Sequence, residues 1–378
     1  MNVYFDNAAT TRVRSGSAAA AMRAMREEYG NPSSSHTMGR AAASMLAGAR
    51  QSVAGALGAK PDEVYFTSGG TEADDWAILG SAEMLGRGGK HIISASTEHD
   101  AVIRSLEKLE TAGWEVTYLE PDSAGRIPAE AFASALRDDT VFASVMLVNN
   151  ETGVVNPLGE YSKEIKRRKL GTVLHTDAVQ GFCKIPFTVK LLGADLVTVS
   201  AHKIHGPKGA GALYIRSGLK LPPLMLGGGQ ESGKRAGTEA LPAVAGFGEA
   251  ARLGALELEE TPASVRRLRD FTVSRLAEEI PEALVIGAGD SPYILSLSVP
   301  GHKSEVLMTS LEGGGICVSK SAACKKGARS RVLEAMRLRR DIIDGALRIS
   351  FSRYSTADEA EYFIQALKRA SRTLLKPL

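Results

Sequence analysis

The sequence predicts an α/β fold: a mostly parallel seven-stranded sheet with helices on both faces, joined to a smaller α+β region. Three observations predict it. Short β-branched or aromatic runs alternate with longer helix-like segments between residues 60 and 216, and strand–helix alternation builds parallel sheets. Several of these runs are apolar along most of their length, as strands covered on both faces are. From Pro262 onward the order changes to a helix, shorter strands and a terminal helix.

The candidate strands are Val64–Thr67, His91–Ala95, Glu115–Leu119, Val141–Val148, Thr172–Thr176, Leu196–Ser200 and Ala212–Ile215. Helix-like segments between them include Glu72–Leu85, Ala101–Ala112, Pro128–Leu136 and Glu160–Arg168. In the second region Ser264–Glu279 reads as a helix, Ala283–Ile286, Tyr293–Val299 and Ala346–Ser350 as strands, and Thr356–Leu375 as the last helix. The Pro- and Gly-rich stretch 220–237 reads as loop, and no internal repeat is visible.

Composition narrows the function. With 44% hydrophobic and 24% charged residues over 378 positions, the chain has ample material for a core, so disorder is not the default. Its 46 basic and 43 acidic residues nearly cancel, which leaves no global argument for nucleic acid. Three cysteines (Cys183, Cys317 and Cys324) are too few for a disulfide framework and match no four-ligand zinc spacing. They fit a reducing compartment. With no signal-peptide pattern at Met1–Asp6 and no apolar run of membrane-spanning length, a cytoplasmic location is expected.

The segment Ser200-Ala201-His202-Lys203-Ile204-His205-Gly206-Pro207-Lys208-Gly209 is the most informative. Lys203 follows a strand expected to be buried, where α/β sheets bind ligands. Desolvation there would lower its pKa and make it a nucleophile toward carbonyls; the bland reading is a surface lysine. Asp177 ends the preceding strand. It could keep a pyridinium nitrogen protonated, or simply cap a helix. Thr67-Ser68-Gly69-Gly70-Thr71-Glu72 joins a strand to a helix, where backbone N–H groups could hold a phosphate or merely start the helix.

Taken together with Tyr4–Thr11, Gly30–His36, Glu98-His99, Asn149–Gly153, Asp177–Gln180, Gly227–Glu231 and Arg235–Glu239, these stretches make the chain resemble a cysteine desulfurase of the class V aminotransferase family, of the NifS/IscS type. The resemblance runs in order over nearly the whole length. It implies a pyridoxal-phosphate fold-type I homodimer, with residues 14–258 as the large cofactor-binding domain and 1–13 with 259–378 as the small domain. It implies that pyridoxal 5'-phosphate is attached to Lys203 as a Schiff base, with Asp177 at the pyridinium nitrogen, His99 stacked on the ring and Gln180 near the ring hydroxyl. Gly70, Thr71, Ser200 and His202 would hold the phosphate, and Thr238 would reach the phosphate of the neighbouring subunit's cofactor. Asn150 would lie at the cofactor and, with Arg353 of Arg348–Arg353, bind the substrate carboxylate, which a planar guanidinium matches bidentately.

Cofactor motifs do not choose among the reactions of this family; Cys324 does. It sits where the family carries its sulfur-accepting cysteine, and the nearby cations Lys320, Lys325 and Lys326 would favour the reactive thiolate. Cys317, in an apolar run, reads as core, and Cys183 as structural. The implied reaction converts L-cysteine to L-alanine and leaves a persulfide on Cys324, which an acceptor protein then takes, as in iron–sulfur assembly or tRNA thiolation. A selenocysteine lyase or another class V enzyme is the alternative. The chain departs from the usual pattern at Lys320-Ser321-Ala322, where the family has Ser-Gly-Ser, and at Ala73, Asp75, Leu147, Val148 and Ser232. The basic run Lys320, Lys325, Lys326, Arg329, Arg331, Arg337, Arg339 and Arg340 is a solvated face or a docking patch for an acidic acceptor. No metal, membrane or direct nucleic-acid contact is expected.

Overall fold

The computed structural model describes residues 1–86, 88–321 and 329–374. Its strands are β1 (Val3–Tyr4), β2 (Val64–Thr67), β3 (His91–Ala95), β4 (Glu115–Leu119), β5 (Thr140–Ser144), β6 (Val173–Asp177), β7 (Leu196–Ser200) and β8 (Gly211–Ile215), then β9 (Leu284–Ile286), β10 (Ile294–Ser298), β11 (Ile316–Cys317), β12 (Ser319–Lys320) and β13 (Ala346–Ser350).

The seven-stranded sheet has the order β2-β8-β7-β6-β5-β3-β4, and β8 alone runs against its neighbours. Every residue of β3, β5, β6, β7 and β8 is buried, which is why these runs lack a polar face. On one side the helix Gly70–Leu85 packs Trp76, Ala77 and Ile78 against Ile92, Phe142, Leu196 and Leu213. Trp76 Nε1 also donates to Pro222 O at 2.8 Å, pinning the Pro- and Gly-rich loop to this face. On the other side Leu46, Val53 and Leu57 of Thr37–Leu57 and Phe247 of Leu241–Leu256 cover Phe66, Val197 and Val199.

A separate core gathers around the four-stranded sheet β12-β13-β10-β9. Phe5 meets Phe351 and Phe363 edge-on, with centroids 5.2 and 6.0 Å apart, a favoured aromatic geometry. The chain start belongs to this core: β1 pairs in parallel with β11, Ser350 N donates to Phe5 O, and Ala8 N donates to Ser350 Oγ. Residues 5–9 therefore pass from the second core toward the end of the large sheet.

Three details differ from the sequence expectation. Val141–Val148 is a strand only to Ser144; beyond it Leu147 N turns to Asp177 O and Asn149 closes a turn, so buried apolar residues continue without a ladder. The helix expected at Ser264 starts at Glu260, because Pro262 falls in its first turn, where no intrahelical N–H is needed. Cys317, expected in the core, is exposed: β11 covers one face only, and the two-residue alternation buries Ile316 instead.

Candidate functional site

Parallel strands deliver their carboxyl ends to one rim of the sheet, and the site lies there. Asp177 ends β6, Ser200 ends β7, and the turn after β3 carries His99. With Gly70, Thr71, Asn150, Gln180, His202 and Lys203 they line one cavity of about 360 Å³. Of the ten positions expected from the sequence at the cofactor, nine meet here: Gly70, Thr71, His99, Asn150, Asp177, Gln180, Ser200, His202 and Lys203 border the cavity, whereas the tenth, Thr238, is exposed and lies outside it.

Arg353 also lies apart from this cavity. It borders a small adjacent space of about 40 Å³ that shares Lys203, and it pairs with Glu257. Glu257 is held from its other side by a two-armed contact with Arg14, at 2.9 and 3.2 Å. Cys324, Lys325 and Lys326 fall outside the described residues. Of the remaining basic run, Lys320, Arg329, Arg331 and Arg339 each pair with a carboxylate: Glu305, Asp344, Asp100 and Asp341 respectively.

Lys203 sits on a single 3-10 turn after β7, and its Nζ donates to Ala8 O at 2.7 Å and Ala9 O at 2.8 Å. The N-terminal segment thus supplies two uncharged hydrogen-bond acceptors, and its carboxylate, Asp6, acts on Lys203 without a hydrogen bond to it. Burial pushes the Lys203 amine down to about 8, aided by Arg348 and opposed by Asp177 and Asp6. Burial raises the Asp177 carboxyl above its ordinary value, while His99, the Val179 N–H and Lys203 favour its charged form. His202 is pushed down to about 4 by burial and by Lys203, Lys184 and Lys208, so it is a neutral ring at pH 7.

The donor set suits a phosphorylated aromatic aldehyde. Ser200 Oγ is buried without a hydrogen-bond partner and borders the cavity beside the first residues of the helix Gly70–Leu85. A buried hydroxyl left unpaired is costly, and an anion at a helix N-terminus would satisfy it. The turn is held tightly: a Cβ on Gly211 of β8 would stand 2.6 Å from the Gly69 carbonyl carbon. His99 caps the helix Asp100–Thr111, and its Nδ1 accepts from Ala101 N at 3.2 Å. That bond commits Nδ1 as acceptor and leaves the neutral ring's proton on Nε2.

Sequence reasoning missed four cavity residues that bear on its chemistry: Asp74, Arg348, Ala8 and Ala9. Asp74 lies one turn into the same helix; it is buried, and burial together with Asp177 raises its carboxyl well above the ordinary range. Arg348 is 2% exposed in β13; it donates to Asn150 O and to Asp6 Oδ1, both at 3.0 Å. Its signal was a charged residue inside an apolar strand pattern. The Ala8 and Ala9 carbonyls had no signal, since backbone acceptors have no sequence identity. Lys184, buried beside them, donates to Gln180 Oε1 at 3.0 Å, and Gln180 Nε2 donates to Ala8 O. Among the described residues no group of His, Cys, Asp or Glu is arranged to hold a metal ion, and no helix is long and apolar enough to cross a membrane.

Comparison with known proteins agrees with this geometry. Residues 3–363 match the family model for aminotransferase class-V. The "Cysteine desulfurase IscS" of Methanosarcina thermophila is 40% identical over 369 residues, covering 97% of this chain and 91% of that protein. Among solved structures, one titled "NIFS-LIKE PROTEIN" superposes with a TM-score of 0.94 at 38% identity, covering 99% of this chain and 100% of that one. Another, "SspA in complex with cysteine", gives 0.81 at 31% identity, covering 94% and 100%. The chain belongs to the class V aminotransferase family, and it has the α/β architecture of its NifS-like structural neighbours.

Proposed function

We propose that the chain is a cysteine desulfurase that uses pyridoxal 5'-phosphate to take sulfur from L-cysteine and release L-alanine. The observation that carries this reading is the convergence of Lys203, Asp177, His99 and the unpaired Ser200 hydroxyl on one cavity. The relatives named cysteine desulfurase over nearly the full length support the choice of reaction.

Bound there, the cofactor supplies an electron sink for the substrate α-carbon. Lys203 would hold it through Nζ, and Asp177 would keep a proton on its ring nitrogen. Gly70 and Thr71 would offer backbone N–H groups to the phosphate, Ser200 its hydroxyl, and His202 a neutral hydrogen bond; Gln180 would serve the ring hydroxyl. His99 would stack on the ring. Because its Nδ1 would stay committed to Ala101, His99 would offer its Nε2–H as a hydrogen bond only, and the Lys203 amine would take the α-proton. Asn150 and Arg353 take the substrate carboxylate. Arg353 exchanges Glu257 for the substrate, and Arg14 keeps Glu257 neutralised after the exchange.

Cys324 Sγ attacks the substrate sulfur as thiolate. The carbon–sulfur bond breaks with its electron pair left on carbon, which takes a proton, and a sulfur–sulfur bond forms on Cys324. An acceptor protein then removes that sulfur. The reading includes a homodimer, in which Thr238 serves the neighbouring subunit's phosphate, and a cytoplasmic setting. It also includes a large domain of 14–258 with 1–13 and 259–378 as the small one, a division supported by the two separate cores.

Mass spectrometry of the chain after treatment with L-cysteine tests the reaction. One extra sulfur mapped to Cys324, with alanine formed in equal amount and both lost in Cys324→Ala, is expected. Full alanine production by Cys324→Ala would overturn the assignment.

A further inference from the structure

The turn that presents His99 is held from outside the large sheet by one guanidinium. Arg331 Nε donates to Ser96 O at 3.0 Å, Nη2 donates to Glu98 O, and Nη1 donates to Asp100 Oδ1 at 3.0 Å. The carbonyl between them, Thr97 O, accepts from Asn149 Nδ2 at 3.1 Å. All three carbonyls preceding His99 are thus taken by side chains, two of them by Arg331.

Arg331 opens the helix Arg331–Ala335, which packs through Val332, Leu333 and Met336 against Ile286, Ile343 and Ala346 of the second region. Its neighbour Ser330 caps that helix and also donates to Glu151 Oε2, beside Asn150. Two adjacent residues of the second region therefore grip the two turns that bring His99 and Asn150 to the cavity.

The geometry points to Arg331 as a positioning residue for His99, joining the segment that follows Cys324 to the ring-facing histidine. The inference rests on the proposed role of His99. Arg331 and Asp100 are both partly exposed, with side-chain exposures of 40% and 34%, and Ser96 is half-buried, so water can replace the lost contacts at two of the three partners. Removing the guanidinium then costs the fold little and instead loosens the turn. A displacement of a reacting group by about 1 Å can cost up to about a hundredfold in rate.

The test is a double-mutant cycle in the holoenzyme. Arg331→Gln should lower kcat with L-cysteine about tenfold and weaken the visible circular dichroism of the bound cofactor, with the melting temperature nearly unchanged. Arg331→Lys, which retains one charged donor, should fall between. In a His99→Ala background, Arg331→Gln should change neither kcat nor dichroism further. The same loss in both backgrounds, or none in either, would overturn the inference. If His99→Ala alone altered neither readout, the role of His99 itself would fail, and the inference with it.

Discussion

Cofactor loading should follow the ionisation of Lys203 in a way that two neighbouring substitutions move in opposite directions. Only the neutral amine attacks an aldehyde. With its pKa pushed down to about 8, Lys203 is roughly 9% neutral at pH 7, against about 0.04% for an unperturbed lysine at about 10.4, a gain of roughly 200-fold. Arg348 depresses this value and Asp6 raises it, yet the two form one ion pair at 3.0 Å. Arg348→Gln should therefore move the midpoint above 8 and slow loading at pH 7, whereas Asp6→Asn should move it below 8 and speed loading. Simple structural damage from breaking the pair would shift both variants the same way. The assay mixes cofactor-free chain with pyridoxal 5'-phosphate in a stopped-flow spectrometer and follows the visible band across pH. The rate should climb through about pH 8 and level off above it. A wild-type midpoint near that of free lysine, or a common direction of shift in both variants, would refute the electrostatic reasoning.

Three further outcomes are expected. Gly211→Ala places a Cβ 2.6 Å from the Gly69 carbonyl carbon and must displace the phosphate turn. It should weaken cofactor binding about tenfold or more (about 1.4 kcal/mol), and an unchanged Kd from titration of the cofactor-free chain would contradict it. Phe363→Ala, at a fully buried position that meets Phe5 edge-on, should cost about 3–5 kcal/mol in urea unfolding; a loss below about 1 kcal/mol would mean the second core is not packed as described. Cys183→Ser should leave desulfuration intact, because burial pushes its thiol up to about 12 and thiolate is the reactive form; loss of persulfide in this variant would assign Cys183 a part in sulfur transfer.

Much of this was legible in the chain itself, for reasons that differ by element. β2, β3, β4, β7 and β13 fall at the bounds read from the sequence, since each is a short apolar or β-branched run stopped by turn residues. Val145–Val148 deceived the pattern, because burial alone does not distinguish a strand from an extended segment that leaves the ladder. Cys317 deceived it through an apolar neighbour, and only the pairing of β11 with β1 set which face was covered. Arg348 and Asp74 went unrecognised as site residues, although a buried charge in a strand or on a helix's inner face was a signal available to read.

Local chemistry in the sequence determined the candidate working groups: Lys203 after an apolar strand, Asp177 at the end of another, glycine and threonine opening a helix, and a cysteine in a basic stretch. Their spacing on strand and helix ends follows from short-range periodicity, which any stretch carries within itself. Tertiary structure alone decided what surrounds them. The carbonyls of Ala8 and Ala9 reach Lys203 from nearly two hundred residues away, Arg348 lowers its pKa from the second core, Glu257 occupies Arg353, and Arg331 holds the turn of His99. These effects depend on distance and burial between segments remote in the chain, and such quantities exist only once the two cores have packed against each other.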